Sequence, residues 1–135
     1  MSGLALARAA QALEGTPFRL HGRDEASGLD CIGVLTAALA AIGRRIQIPT
    51  GYTLKLRNLD VWLPDPITSG FAIATGAPIT GDVLLLNLRA CQHHLVIAAE
   101  GGRFVHAHAG LRRVVIGSGP LPGSISHHWR LLPTD

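Results

Sequence analysis

The 135-residue chain has few aromatic residues, few cysteines and no long apolar run, and each shortage excludes a class of protein. Six aromatic side chains and isolated arginine pairs fall short of the basic stripe with stacking rings that binds nucleic acid. Two cysteines, Cys31 and Cys91, do not make a disulfide scaffold. No stretch reaches about 18 apolar residues, so neither a membrane-spanning helix nor a membrane partner is predicted.

The remaining composition is typical of one packed domain, which we predict to span residues 1–135. Hydrophobic residues make up 47% of the chain and charged residues 16%, a balance that excludes a disordered protein. The net charge of +3 favours a polyanionic partner, such as nucleic acid or an acidic cell wall, and selects neither of them. Because Arg8 and Glu14 interrupt the alanine-rich start, we predict no signal peptide and synthesis in the cytoplasm.

Apolar residues at helical spacing predict two helices, Leu4–Leu13 and Asp30–Ile42, each followed by a glycine. Prolines break up residues 46–80, where only short helical turns over Asn58–Leu63 and after Pro66 are predicted. From residue 81 the pattern predicts strands over Asp82–Leu88, His94–Ala99, Arg103–His108, Arg113–Ile116 and His128–Leu132. Helices followed by a meander of strands predict an α+β fold, with N-terminal helices packed on an antiparallel sheet.

Cys31 lies in the first turn of the second predicted helix, where a thiol is readily activated. The aligned peptide dipoles of a helix lower the pKa of a thiol at its N-terminus, and a neighbouring imidazolium lowers it further. Asp30 is the candidate N-cap, with Ser27 as the alternative. This position predicts a nucleophilic thiolate, whereas the alternative interpretation is that Cys31 is a small buried hydrophobe.

Histidines on two predicted strands supply a candidate base for this thiol. Side chains alternate along a strand, so His106 and His108 share a face, and a Gly-Gly hairpin makes either of them a cross-strand neighbour of His94. One imidazole would take the Cys31 proton, and the other would orient the first ring from its far nitrogen.

Two alternatives apply to the seven histidines of the chain. The pairs His93-His94 and His127-His128, together with the His-x-His unit at 106–108, are compatible with a zinc site. Without further evidence, His21, His127 and His128 are interpreted as single surface residues.

Three stretches of the sequence are similar to a known family. Residues 15–22 (GTPFRLHG) and 29–33 (LDCIG) resemble the loop and the Asp-Cys-Ser-Gly nucleophile motif of the NlpC-type cell-wall cysteine peptidases. Residues 81–85 (GDVLL) resemble the Gly-Asp that opens the family's first core strand. Residues 94–97 (HLVI) and 102–107 (GRFVHA) resemble its two histidine-bearing strands, with the same 12-residue step between the histidines.

The resemblance implies a papain-like α+β fold in which Cys31 is the nucleophile, His94 the general base and His106 the orienting third member. It implies an oxyanion hole that uses the Cys31 backbone amide. The implied reaction is cleavage of peptidoglycan stem peptides, between D-γ-glutamate and diaminopimelate in many family members, with no metal and no cofactor. Residues near the nucleophile that would contact the substrate are Phe18, His21, Asp30, Ile32 and His108.

The chain departs from the family pattern at three positions. Phe18 stands in place of a tyrosine, Ile32 in place of the serine after the nucleophile, and Val96 in place of a glycine. These changes leave two alternatives open: a related thiol amide hydrolase or acyltransferase, and a non-catalytic module that keeps the fold. Residues 104–110 (FVHAHAG) resemble the small wall peptidases of prophage tails and gene transfer agents, which implies phage-like tail proteins as partners and a location on such a particle.

Overall fold

The computed structural model describes residues 2–19, 22–24, 26–44, 70–89 and 92–133, which form two helices followed by a sheet. The helices are α1 (Ser2–Gln11) and α2 (Cys31–Ala41). Between them, β1 (Arg23–Asp24) and β2 (Gly28–Leu29) form a short antiparallel pair. The six-stranded sheet contains β3 (Phe71–Ile73), β4 (Val83–Arg89), β5 (Gln92–Ala98), β6 (Phe104–His108), β7 (Arg113–Gly117) and β8 (Ser124–Leu131).

The strand order in this sheet is β3-β8-β4-β5-β6-β7, and every neighbouring pair is antiparallel. Strands β4 to β7 form a meander, and β8 returns to pair with the free side of β4. The predicted α+β class with helices packed on an antiparallel sheet is therefore confirmed. Neither described helix has the length and apolar character needed to cross a membrane.

Helix α2 is apolar around most of its circumference, which is typical of a helix buried on several sides. Asp30 precedes it with extended backbone, and its carboxylate accepts a hydrogen bond of 2.8 Å from the Gly33 amide. The predicted N-cap is therefore confirmed. Gly43, just beyond the helix, has a φ of 81°, a conformation that glycine adopts without strain.

Alternation along the strands gives the sheet two faces. The helix-side face packs against α1 and α2 and includes Val83, Leu85, Leu95, Ile97, Val105 and Ala107. The opposite side, here called the far face, carries a smaller buried cluster of Leu84, Leu86, Val96 and Phe104. Because side chains alternate, His94 and His106 lie on the far face, in line with Val96 and Phe104.

Gly81 shows why a Gly-Asp pair opens the first long strand. It has a φ of 91°, and a Cβ at this position would lie 2.1 Å from the Gly3 carbonyl oxygen. Any larger residue would push α1 away from the sheet. The glycine thus fixes the first helix against the start of β4.

The structure differs from the predicted elements at several points. Strand β3 and the β1–β2 pair were not predicted, because two or three residues are too short for a periodicity. Strand β8 begins at Ser124, well before the predicted start at His128. The turns predicted over Asn58–Leu63 and after Pro66 lie outside the described residues.

Candidate active site

Cys31 occupies the first position of α2 and is almost completely buried, with 2% of its surface exposed. Backbone amides of Leu95, Ile32 and Cys31 itself donate hydrogen bonds to the sulfur. Leu95 is the residue that follows His94 on β5, so the start of α2 meets the sheet one residue from the candidate base. The ladder between β5 and β6 comprises only Ile97↔Val105 and Ala98↔Phe104, so the two strands no longer pair where the sulfur reaches Leu95.

The glycine of the nucleophile motif is required by close packing. A Cβ at Gly33 would lie 2.1 Å from the Gly22 carbonyl oxygen and 3.3 Å from the Asp30 carboxylate. The loop that precedes β1 therefore rests directly on the first turn of α2. A side chain at this position would displace the cap, the loop or both.

The Cys31 thiol has a raised pKa, which contradicts the lowered pKa predicted from the sequence. Its pKa is raised from 9.0 to about 12, with burial as the largest cause and the negative charge of Asp30 as the second, while the backbone amides of Leu95, Ile32 and Cys31 act in the opposite direction. The prediction was wrong because it counted the helix dipole and omitted desolvation, which penalises the thiolate more than three amides stabilise it. The structure therefore holds a protonated thiol at neutral pH.

His94 and His106 form a direct hydrogen bond on the far face. His94 Nε2 lies 2.7 Å from His106 Nδ1, and the two rings meet edge to face with centroids 4.9 Å apart. The structure thus brings together the two histidines that the sequence predicted as neighbours. One of these nitrogens donates and the other accepts, so if His94 donates from Nε2, its Nδ1 has a lone pair available for a proton.

Both rings are held in the neutral state. Burial lowers the pKa of His94 to about 4, and positive charge on His106 and His108 would lower it in the same direction. Burial and the charge of His108 lower the pKa of His106 to about 4. A neutral imidazole is a proton acceptor, so above about pH 4 this pair is competent as a general base.

The residues predicted to contact substrate have different environments. Phe18 is half-buried against the helix-side core, whereas Ile32 is fully buried within it and presents only its backbone amide to the sulfur. Asp30 is fully buried and caps α2. His108 lies at the end of β6 with its ring centroid 5.6 Å from that of His106. His21 lies outside the described residues.

A second histidine centre on the far face was missed by the sequence analysis. His128 is 8% exposed, and its Nε2 lies 2.6 Å from Asp82 Oδ2, so its interpretation as a surface residue was wrong. Arg130 donates to both Asp82 oxygens at 2.9 Å, and the Ile79 amide donates to Oδ2 at 3.0 Å. The sequence signal that could have indicated this centre is the His-x-Arg spacing of His128 and Arg130. On a strand, this spacing puts both side chains on one face, beside the Gly-Asp pair.

A cavity of about 460 Å³ also opens on the far face. Phe104 forms part of its wall and stands 5.0 Å, centroid to centroid, from the His106 ring, so it lies between the cavity and the histidine pair. The other lining residues are Pro78, Ile79, Thr80, Leu84, Ala98, Ala99, Gly102, Arg103, Gly119 and Leu121. Within the described ranges, no group of three His, Cys, Asp or Glu side chains is arranged to hold a metal ion.

Several solved structures share the fold of this chain. The chain is 27% identical to the NlpC/p60 domain of the peptidoglycan hydrolase SagA, with a TM-score of 0.62, covering 93% of this chain and 97% of that domain. It is 18% identical to NlpC1 of Trichomonas vaginalis, with a TM-score of 0.72 over 96% of this chain and 44% of that one. It is also 18% identical to the peptidoglycan hydrolase RipB of Mycobacterium tuberculosis, with a TM-score of 0.62 over 98% of this chain and 66% of that one.

The chain thus spans nearly all of the SagA domain but less than half of the Trichomonas protein. A scan against protein-family models and a search of curated proteins gave no match. The closer likeness to the peptidases of phage-like tails stays a prediction. The chain thus shares the fold of NlpC/p60 structures, and its three motifs lie on the corresponding elements, which supports the predicted resemblance to the NlpC-type cell-wall peptidase family.

Proposed function

We propose that the chain is a cysteine hydrolase of peptidoglycan stem peptides, with Cys31 as nucleophile, His94 as general base and His106 as the residue that orients His94. The observation that carries the proposal is that the start of α2 meets β5 one residue from His94, which is itself bonded to His106. The Cys31 sulfur accepts from the Leu95 amide, directly beside His94, and His94 is in turn fixed by the 2.7 Å hydrogen bond to His106.

The neutral state of these groups defines how the thiol would be activated. Since the pKa of Cys31 is about 12 and that of His94 about 4, the resting pair is thiol and imidazole, not an ion pair. The proton therefore moves from sulfur to His94 Nδ1 as the sulfur attacks the scissile carbonyl, and His94 Nε2–H donates to His106. The resemblance implies that the Cys31 backbone amide turns to the developing oxyanion and stabilises it.

The rest of the cycle follows from these roles. Collapse of the tetrahedral intermediate breaks the C–N bond, and the His94 imidazolium returns its proton to the departing amine. The acyl group remains on Cys31 as a thioester. Water, deprotonated by the neutral His94, then attacks the thioester and releases the acid, which restores the thiol.

For the substrate, we propose the bond between D-γ-glutamate and diaminopimelate of the stem peptide. The support is the resemblance of the motifs, together with the peptidoglycan hydrolases among the solved structures. Phe18 lies on the segment that leads to the nucleophile and replaces the tyrosine of the family pattern, so it is the residue we expect to alter the fit of the stem peptide.

The test is release of stem-peptide fragments from purified sacculi by the wild-type chain and by Cys31→Ala. We expect the variant to release none while its circular dichroism and melting temperature match those of the wild type. Cys91→Ala is the matched control, since it removes the other cysteine of the chain. Undiminished release by Cys31→Ala would refute the proposal, and mass spectrometry of products from defined muropeptides would identify the bond.

A second candidate is a non-catalytic wall-binding module carried on a phage-like tail. The observation in its favour is the buried, protonated Cys31. Its location on a particle rests on the sequence resemblance alone. This candidate predicts sedimentation with sacculi without hydrolysis, unchanged in Cys31→Ala, and detection of the chain by mass spectrometry in purified particles.

A further inference from the structure

His108 is tied by a hydrogen bond to the turn that follows β6. Its Nδ1 accepts from the Leu111 amide at 3.0 Å. This bond requires a lone pair on Nδ1, so in the described state the ring carries no hydrogen on that atom. The ring is also packed by Gly110, where a Cβ would lie 3.1 Å from the His108 Cε1.

The same turn supports the segment that leads to the nucleophile. The Phe18 amide donates to the Arg112 carbonyl at 2.9 Å, and the neighbouring Pro17 forms a bridge with Arg113. The Pro17 carbonyl then accepts from the Leu29 amide at 2.8 Å, two residues before Cys31. Arg112 has a φ of 58°, unusual for a residue other than glycine, so the turn depends on such contacts to keep its shape.

His108 also faces the catalytic pair. It lies two residues beyond His106 on the same side of β6, and the two ring centroids are 5.6 Å apart. Its cross-strand partner on β7 is Arg113. The titratable and charged groups on the elements around it are His94 on β5, His106 on β6, Arg112 and Arg113 after the turn, and Asp30 and Cys31 at the start of α2.

We propose that His108 is a positioning residue with two coupled effects: its neutral ring holds the 109–112 turn under the segment leading to Cys31, and a positive charge on it opposes protonation of the His94–His106 pair. The effect of His108 on catalysis rests on the proposed function. A proton on Nδ1 would face the Leu111 N–H, so the bond to the turn would break at the same time as a positive charge formed beside His106.

The electrostatics of the site agree with this coupling. Burial is the first cause of the lowered pKa values of His94 and His106, and positive charge on His108 contributes to both in the same direction. Removal of His108 should therefore raise the pKa of each ring. Since a general base works only when neutral, the acid limb of the activity profile should move to higher pH.

Two variants separate the two effects. His108→Asn places Oδ1 close to the position of Nδ1, so it keeps an acceptor for Leu111 but has no titratable group. His108→Ala removes both. His127→Asn is the matched control, because His127 lies on β8 and stacks on Trp129, away from the pair.

The measurement is an NMR titration of the His94 and His106 rings, with hydrogen exchange at the Leu111 amide. We expect both His108 variants to raise the pKa of the pair. His108→Asn should keep the Leu111 amide protected, whereas His108→Ala should exchange it about fivefold faster, the loss of one ordinary hydrogen bond. No upward shift in either variant, or equal loss of Leu111 protection in both, would overturn the proposal.

These readouts need no substrate, so they are independent of the hydrolase assignment. If the pKa values of His94 and His106 rise in the His108 variants but the wild type hydrolyses nothing, the proposed function is refuted and the role of His108 is still supported. Where hydrolysis is observed, His108→Asn should shift the acid limb and should keep more of the plateau kcat than His108→Ala. His108→Ala should shift it and also lower the plateau.

Discussion

The far face of the sheet carries two histidine pairs that differ in the partner of the histidine. His94 pairs with a second imidazole, His106, at 2.7 Å, whereas His128 pairs with a carboxylate, Asp82, at 2.6 Å. Arg130 reaches the Asp82 pair, but no carboxylate contacts the His94 pair within the described residues. The two pairs have similar donor–acceptor distances, but His94 faces a neutral imidazole whereas His128 faces a carboxylate.

The difference teaches that the partner decides what a buried histidine can do. Beside neutral His106, His94 is left uncharged and can receive a proton. At the other pair, burial opposes the charged form of Asp82, yet Arg130, the Ile79 amide and His128 hold the pKa of the carboxyl below its ordinary value. The Asp82 carboxylate is therefore satisfied by these partners, and its contacts link β8 to the start of β4 and to the loop before it.

The largest effect expected from this comparison is on catalysis by alanine variants of the two histidines. His94→Ala should lower kcat by about 10²–10⁴-fold with little change in melting temperature, because it removes the proposed general base. His128→Ala should do the reverse, keeping kcat and lowering stability. Sacculus digestion and thermal melts of both variants check this, and similar losses of kcat would remove the distinction between the pairs.

The next effect concerns the thiol of Cys31, the proposed nucleophile. Since burial raises the pKa of Cys31 to about 12, iodoacetamide at pH 7 should label it at least about 100-fold more slowly in the native chain than in urea. Peptide mapping by mass spectrometry resolves Cys31 from Cys91. Rapid native labelling of Cys31 would instead indicate a thiolate–imidazolium pair.

A smaller loss is expected when the orienting partner of His94 is changed. His106→Ala removes the acceptor of the His94 Nε2 hydrogen and should lower kcat by about 10–100-fold, the value of a hydrogen bond to a charged group. His106→Gln offers an amide oxygen in its place and should recover part of the loss. Equal kcat in the two variants would show that the hydrogen bond at this position contributes nothing.

The smallest expected effect is on folding stability at the second pair. Asp82→Asn should cost about 1–3 kcal/mol in urea unfolding at pH 7, since it leaves buried donors without a charged acceptor. The folded pKa of Asp82 is lowered from 3.8, so its contribution is complete above that value and is lost as the pH falls through the lowered folded pKa. The difference between variant and wild type should therefore shrink only below about pH 4. A difference that vanished near pH 6 would contradict the assignment of this linkage to Asp82.

Much of the fold could be predicted because the patterns that specify its helices and strands are local in sequence. The helical spacing of Asp30–Ile42, the cap at Asp30 and the alternation on the strands depend on residues within a few positions of one another. Strand β3 was not predictable in this way, since its three residues become a strand only by pairing with β8. The pairing of Asp82 with His128 joins positions 46 residues apart, so the alternation of His128 and Arg130 on their strand could not name Asp82 as the partner.

The sequence alone determined which chemical groups are available: one thiol at a helix start, and histidines at alternating positions of neighbouring strands. Only the tertiary structure decided their state. It buried Cys31 enough to keep it protonated, turned His94 and His106 toward each other, and gave His128 a carboxylate. The physical reason is that the free energy of a charge depends on the solvent and the other charges around it, and these are set by residues distant in sequence.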